Sequence, residues 1–416
     1  MSKRIPVSAS DLRGYGRLAV EATIGITQLV ENLHRNIQRT PGVLAEPTQA
    51  PTKGITGLVY RSIRGVTRLV AGGIDVALAQ LASRLGQSGE SSGQREAILA
   101  ALNGVLGDHL AASANPLAIP MQLRSAGRAL TLTKDGLAAA IPKPSGKILL
   151  LVHGLCMNDL QWRRNAHDHG AALAADGGYT PLYLHYNSGV HILSNGRAFA
   201  ELIEKLLPVW PVPVRELVII GHSMGGLVSR SACHYAQSVR HDWLRHLHKL
   251  VFLGTPHQGA PLERAGNWVD AILGKSPYTA AFARLGKIRS AGITDLRHGS
   301  VLDADWIDRD RFARGQRKPA FVPLPQGVQC YAIAASIAAK SSALRARILG
   351  DGLVPLSSAL GQHANRQRCL AFPKAQQWVG YRMNHLDLLE RKEVYAKLRE
   401  WLIVNPGVHA LRRGKG

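Results

Sequence analysis

The chain has 416 residues, 46% of them hydrophobic and 6% aromatic, and a formal net charge of +23. That length and apolar content can bury a large core, which argues against disorder and for one α/β domain with an appendage. Cys156, Cys233, Cys330 and Cys369 lie far apart with no Cys-x-x-Cys, which points away from a metal framework or disulfide scaffold and toward reduced thiols inside a cell.

The first residues lack the charged, apolar and cleavage-site pattern of a secretory signal. Ser8 to Asn36 reads as a long amphipathic helix interrupted by Arg13, Arg17, Glu21, Glu31 and Arg35. No stretch reaches the roughly 18 uninterrupted apolar residues of a spanning helix. A cytoplasmic protein is therefore expected, with peripheral attachment to a membrane or lipid body as the alternative. A Pro-rich connection, Pro41 to Pro51, leads to Gly54–Leu85, where Ile55, Leu58, Val59, Ile63, Val66, Leu69, Val70 and Ile74 recur at helical spacing. Gly86 to Gly93 is a Gly/Ser linker, and a third helix, Arg95 to Ala112, stops before Pro116. These helices read either as a cap on the following domain or as Arg-bearing stretches lying on a lipid surface.

The charge is spread. Residues 1–140 carry a net +6, and the other +17 lies beyond them. The densest basic run, Arg311, Arg314, Arg317 and Lys318, holds a single aromatic, Phe312, and aromatics are only 6% of the chain, so nucleic-acid binding is not expected. A solvated basic surface is the plain account. Attraction to an anionic lipid surface or anionic substrate is the other.

From Met121, segments around Leu130–Leu132 read as antiparallel strands. Apolar runs near 147–153, 181–186, 216–221, 249–253 and 328–334 alternate with helical stretches, which predicts a mostly parallel, doubly wound sheet with helices on both faces. The insertion from about 260 to 325 would lie over the carboxyl edge of that sheet. Its Trp268, Tyr278, Phe282 and Trp306 could build a lid or acyl pocket, or equally the insertion's own core.

Chemistry concentrates in Leu217–Gly226, where an apolar run ends in Gly221-His222-Ser223-Met224-Gly225 and a helical stretch follows. Gly-x-Ser-x-Gly in that context is a nucleophile elbow, a turn so sharp that only small residues fit on either side of the serine. Upstream, Lys147–Val152 ends in His153-Gly154-Leu155-Cys156, a loop that could offer Leu155 N–H to an oxyanion alongside Met224 N–H. A serine nucleophile needs a base, and the base needs an orienting carboxylate. Asp351, between two glycines beyond a strand, and His385, just before a helix running to about Val404, supply the Ser…Asp…His order. His257 is the main rival base, but it precedes Asp351. Asp270, Asp295 and Asp387 are weaker rival acids, and His234, His241, His246 and His248 lack clean metal-ligand spacing.

With His153-Gly154-Leu155, the Ser223 motif, Leu253-Gly-Thr-Pro-His-Gln-Gly259, Asp351-Gly-Leu-Val-Pro355 and Asn384-His385, the chain resembles the α/β-hydrolase superfamily, within it lipase and esterase-like members. The Gly-Thr-Pro-His-x-Gly element and Tyr186–Ile192 are similar to serine esterases that include inositol-deacylase-like and lipase-like domains. The resemblance runs from about Leu123 to Val404. It implies an α/β-hydrolase domain at 116–410 after an N-terminal helical region at 1–115, and catalysis by Ser223, Asp351 and His385 without a cofactor. Gly154, Cys156, His222 and His257 are then expected to line the substrate site. The single glycine before bulky Leu155 resembles hydrolases of medium or longer acyl chains, so a lipid-like ester is the expected substrate. Acyl transfer, thioester hydrolysis or non-catalytic binding to a lipid surface remain the alternatives.

Overall fold

The computed structural model describes residues 13–14, 17, 93–260, 290–302, 305, 320–340 and 349–404. Arg13, Gly14 and Arg17 are helical; the rest of the two N-terminal segments expected as helices, the four aromatics of the insertion and the basic run at 311–318 lie outside the described residues.

Eight strands form one sheet: β1 Gln122–Ser125, β2 Arg128–Ala129, β3 Lys147–Val152, β4 Thr180–His185, β5 Glu216–His222, β6 Leu247–Leu253, β7 Gln329–Ser336 and β8 Gln377–Tyr381. Their spatial order is β2-β1-β4-β3-β5-β6-β7-β8. The β1–β2 and β1–β4 pairs are antiparallel, and all other neighbours are parallel. The expected doubly wound sheet is present, with two departures. The first antiparallel pair turns at Ala126-Gly127 and ends before Leu130, and β8 has no counterpart among the expected strands.

The central strands read Lys-Ile-Leu-Leu-Leu-Val, Glu-Leu-Val-Ile-Ile-Gly-His and Leu-His-Lys-Leu-Val-Phe-Leu, almost wholly buried. Continuous apolar runs of this kind suit strands covered on both faces. One face carries a core of Leu149, Leu151, Val218, Ile220, Val251 and Ile333, packed with Trp162, Leu173, Leu398 and Trp401. Leu173 comes from α3 (His169–Gly177) and Leu398 from α8 (Lys392–Arg399). Across the sheet, α5 (Met224–Val239) packs on β3, β5 and β6 and against α4 (Ile192–Leu206). The remaining helices are α1 Gly93–Ala112, α2 Lys134–Ala140, α6 Ala291–His298 and α7 Leu356–Ala359.

From β3 the chain steps to β4 on one side, then returns to β5 on the other. The strand order therefore reverses at β3 and β5, and loops leaving their carboxyl ends diverge to leave a crevice.

Residues group into two compact units: Met1–Arg95 with Leu110–Ala118, and Glu96–His109 with Ile119–Gly416. The middle of α1 groups with the sheet. Glu96 pairs with Arg124 at 3.3 Å, and Asn187 Nδ2 donates to Gly107 O at 2.9 Å. From Leu99 to Gly107 every residue of α1 is buried, on all faces rather than along one stripe. No helix of the described residues is long and apolar enough to cross a membrane.

Leu150 sits fully buried at the centre of β3, between Leu182 and Ile219 on its neighbours. Leu150→Ala should cost about 3–4 kcal/mol in urea unfolding; a loss below about 1 kcal/mol would place the core elsewhere.

Candidate active site

Ser223 stands between the end of β5 and the first residue of α5, with φ 56° and ψ −124°. A non-glycine residue there is strained by about 1–3 kcal/mol, and only rigid surroundings hold it. The rigidity comes from close approach. A Cβ at Gly225 would overlap Val152 O and lie 2.7 Å from Val152 C, and one at Gly221 would lie 2.6 Å from Gly226 Cα. Ser223 N–H donates to Leu253 O at 2.8 Å, tying the turn to β6. Ser223 Oγ is buried and hydrogen-bonds to none of the described residues.

The loop after β3 reaches the same place, because a Cβ at Gly154 would lie 3.0 Å from Ser223 Cβ and 3.3 Å from His222 Nδ1. Among the described residues neither Leu155 N–H nor Met224 N–H is spent on a protein acceptor. Met224 opens α5, whose first N–H groups have no partner within the helix and lie at its positive end. His153 is locked behind this loop: its ring stacks on Tyr186 with centroids 4.3 Å apart, and Tyr186 OH donates to His153 O at 2.8 Å.

Asp351 follows β7 and its loop, and Oδ1 accepts from Leu353 N (2.9 Å) and Val354 N (2.8 Å). Oδ2 lies 2.6 Å from His385 Nδ1, and His385 N donates to Asp351 O at 3.1 Å. The pair is buried. It adjoins the serine through two neighbours. His222 Nε2 lies 3.2 Å from His385 O with ring centroids 4.7 Å apart, and a Cβ at Gly254, next to Leu253, would lie 3.1 Å from His385 Cε1. His169 Nε2 lies 3.0 Å from Leu388 O, bracing the segment after His385.

The rivals are occupied elsewhere. Asp295 accepts from Ile192 N at 2.7 Å and contacts His191, Asp387 accepts from Asn384 N at 2.8 Å, and Asp270 lies outside the described residues. Two of the expected substrate contacts differ. Cys156 turns its thiol onto α1, with Sγ 3.9 Å from Ala101 O, and burial pushes its pKa up to about 12. His257 is fixed between Phe252 and Arg230, whose guanidinium lies 3.1 Å from Nδ1. A guanidinium only donates, so Nδ1 accepts and the proton sits on Nε2. Arg230 also donates to Val322 O at 2.7 Å.

A buried polar cluster below the His153 loop had no sequence signal beyond polar residues following an apolar strand. Arg124 reaches Glu96 and Asp159 (3.3 and 3.1 Å), and Asp159 lies 3.0 Å from His185 Nδ1. Burial alone would raise the Asp159 pKa, but His185 and Arg124 bring it below its usual value.

Four histidines are held neutral by burial: His153 and His169 are pushed down to about 3, and His222 and His257 well below 6.5. In the unfolded chain they take up protons near pH 6.5. Their contribution is therefore present above that pH and is lost as pH falls below it, by about 1.4 kcal/mol per pH unit for each histidine. The Tm should drop by about 10 °C between pH 7.5 and 5.5. A flat Tm across that range would contradict neutral burial of these four rings.

Residues 143–324 match the family model described as PGAP1-like alpha/beta domain. The match ends before β7, so Asp351 and His385 lie beyond it. No curated protein matches the chain. Among solved structures, a Bacillus licheniformis lipase (BlEst2, mature form) is 17% identical with a TM-score of 0.39, covering 62% of this chain and 93% of that one. The Pyrococcus furiosus esterase Pf2001 is 13% identical with a TM-score of 0.37, covering 62% and 80%. EstA from Clostridium botulinum is 12% identical with a TM-score of 0.36, covering 62% and 87%. Residues 143–324 are thus similar to the PGAP1-like alpha/beta domain, and the eight strands form the mostly parallel, doubly wound sheet of an α/β-hydrolase fold.

Proposed function

We propose that the protein is a serine hydrolase of carboxylic esters. The observation that carries this reading is the strained Ser223 turn beside a buried His385–Asp351 pair with Nδ1 and Oδ2 2.6 Å apart. In this mechanism His385 Nε2 takes the Ser223 proton as Oγ attacks the ester carbonyl, and Asp351 holds the ring through Nδ1–H. Leu155 and Met224 N–H groups donate to the oxyanion, and Gly154 lets the carbonyl approach. Collapse transfers the proton from His385 to the departing alcohol and leaves an acyl-serine. Water, deprotonated by His385, then attacks the acyl carbon and releases the acid. His222 supports the main chain of His385. None of these steps requires a cofactor.

The acyl group we assign is medium to long, supported by the bulky Leu155 in the loop after β3. Transfer to another acceptor or cleavage of a thioester would use the same residues, and substrate choice separates them. Ser223→Ala should lower kcat on p-nitrophenyl esters by on the order of 10⁴-fold or more, and Asp351→Asn by a comparable factor, with unchanged Tm. An acetate-to-palmitate series should peak at medium or long chains. Full activity in Ser223→Ala would overturn the assignment. The net charge of +23 supports contact with an anionic lipid surface. Cosedimentation with anionic vesicles, weakening as salt rises, is expected; equal binding to zwitterionic vesicles would remove that part.

A further inference from the structure

Helix α1 meets the loop after β3 backbone to backbone. A Cβ at Gly104 would overlap Cys156 Sγ and lie 2.9 Å from Cys156 Cα and 3.0 Å from Cys156 N. Cys156 has φ +59°, a left-handed conformation that a β-carbon makes unfavourable. Something must hold it there. Its N–H donates to Ser188 Oγ at 3.0 Å, and its thiol lies against Ala101 O. Leu155 N–H, which we assign to the oxyanion, lies in the Gly154–Leu155 peptide one residue before Cys156, so the place where Cys156 is held limits how that peptide can turn through the Leu155 φ and ψ.

The helix is itself fixed from two directions. Asn187 Nδ2 donates to Gly107 O at 2.9 Å, next to the Ser188 that grips Cys156. On the other side Ser290 Oγ donates to Gly104 O at 2.6 Å, and Ala291 N donates to Asp108 Oδ2 at 3.0 Å. The Gly104 carbonyl is therefore anchored at the residue whose missing side chain admits Cys156.

Resting on the esterase reading, we propose that Gly104 is a positioning residue for the oxyanion donor: α1 fixes Cys156, and so the end of the Gly154–Leu155–Cys156 segment, where the preceding Leu155 N–H faces the Ser223 site. A side chain at 104 must displace either the helix or the loop. Displacing the loop misaligns a donor that matters most once charge develops on the oxyanion, so the loss falls on kcat rather than on KM. Removing one such donor elsewhere costs about 10²–10³ in kcat, which bounds the effect.

The test uses the full chain, with two readouts: hydrolysis of the best p-nitrophenyl ester, and the rate at which a fluorophosphonate labels Ser223. Gly104→Ala should lower kcat and the labelling rate at least tenfold, with KM within about twofold. Adding Cys156→Gly, which removes the Sγ overlap and leaves the 2.9 Å approach to Cα for a more pliant glycine backbone to relieve, should recover a measurable part of that loss. Recovery separates positioning from general damage to the fold, because a helix destabilised on its own account gains nothing from a glycine in the loop. Ser188→Ala, which removes the other grip on Cys156, should also lower kcat without raising KM, and it decides the matter if Gly104→Ala does not fold. Unchanged kcat in whichever of these variants folds, or a defect confined to KM, overturns the proposal while leaving the esterase reading intact. A wild-type protein that neither hydrolyses esters nor reacts with the fluorophosphonate sinks both.

Discussion

The first turn of α5 touches the end of β3, and the site depends on that contact. At Gly225 the helix backbone comes so close to Val152 and His153 that no β-carbon fits. Only with this approach does the turn after β5 open beside the loop after β3. The sheet order makes it available, because β3 and β5 are adjacent where the winding reverses. Any wider spacing would separate Ser223 from Gly154, whose Cβ position lies 3.0 Å from Ser223 Cβ.

Around this contact the protein uses buried polar groups as fixed struts rather than as exposed charges. His153, His169, His222 and His257 each hold a loop, through Gly154 O, Leu388 O, His385 O and Arg230 respectively. Neutral rings suit that task, since each can hold a partner without the desolvation cost of a buried charge. Arg230 is the exception. No carboxylate among the described residues pairs with its buried guanidinium, and burial lowers its pKa only to about 10, so it stays charged. It ties α5 to the loop after β6 and to Val322, where the chain returns from the insertion.

The parallel sheet, the Ser223 turn and the Asp351 loop each have a local signature in the sequence: continuous apolar runs, glycines flanking a serine, an aspartate between glycines. The clustering of Asp351 with His385 was readable only as an order along the chain, since β8 between them is a short Gln-Trp-Val-Gly-Tyr segment without a strong apolar period. The roles of Cys156 and His257 were not legible. Both stand inside motifs that suggest substrate contact, yet their side chains face Ala101 and Arg230, partners 55 and 27 residues away that no local pattern predicts. The same holds for α1. Small residues at 104 and 107 are unremarkable in a helix until another backbone is seen against them.

Left-handed backbone recurs along the carboxyl edge of the sheet. Cys156 follows β3, Ser223 follows β5, Gly254 follows β6 and Arg382 follows β8, with φ of 59°, 56°, 56° and 53°. Each reverses the chain just above the sheet, where a longer loop would fill the crevice. Three of the four are not glycine, so the fold sustains the cost where a side chain or a fixed peptide is needed and avoids it at Gly254, beside the His385 ring. Strain of this kind survives only if neighbouring elements prevent relaxation. For Ser223 the neighbours are β3 and β6. For Cys156 they are Ser188 and α1, which is why a helix preceding the sheet in sequence belongs, in mechanical terms, to the site.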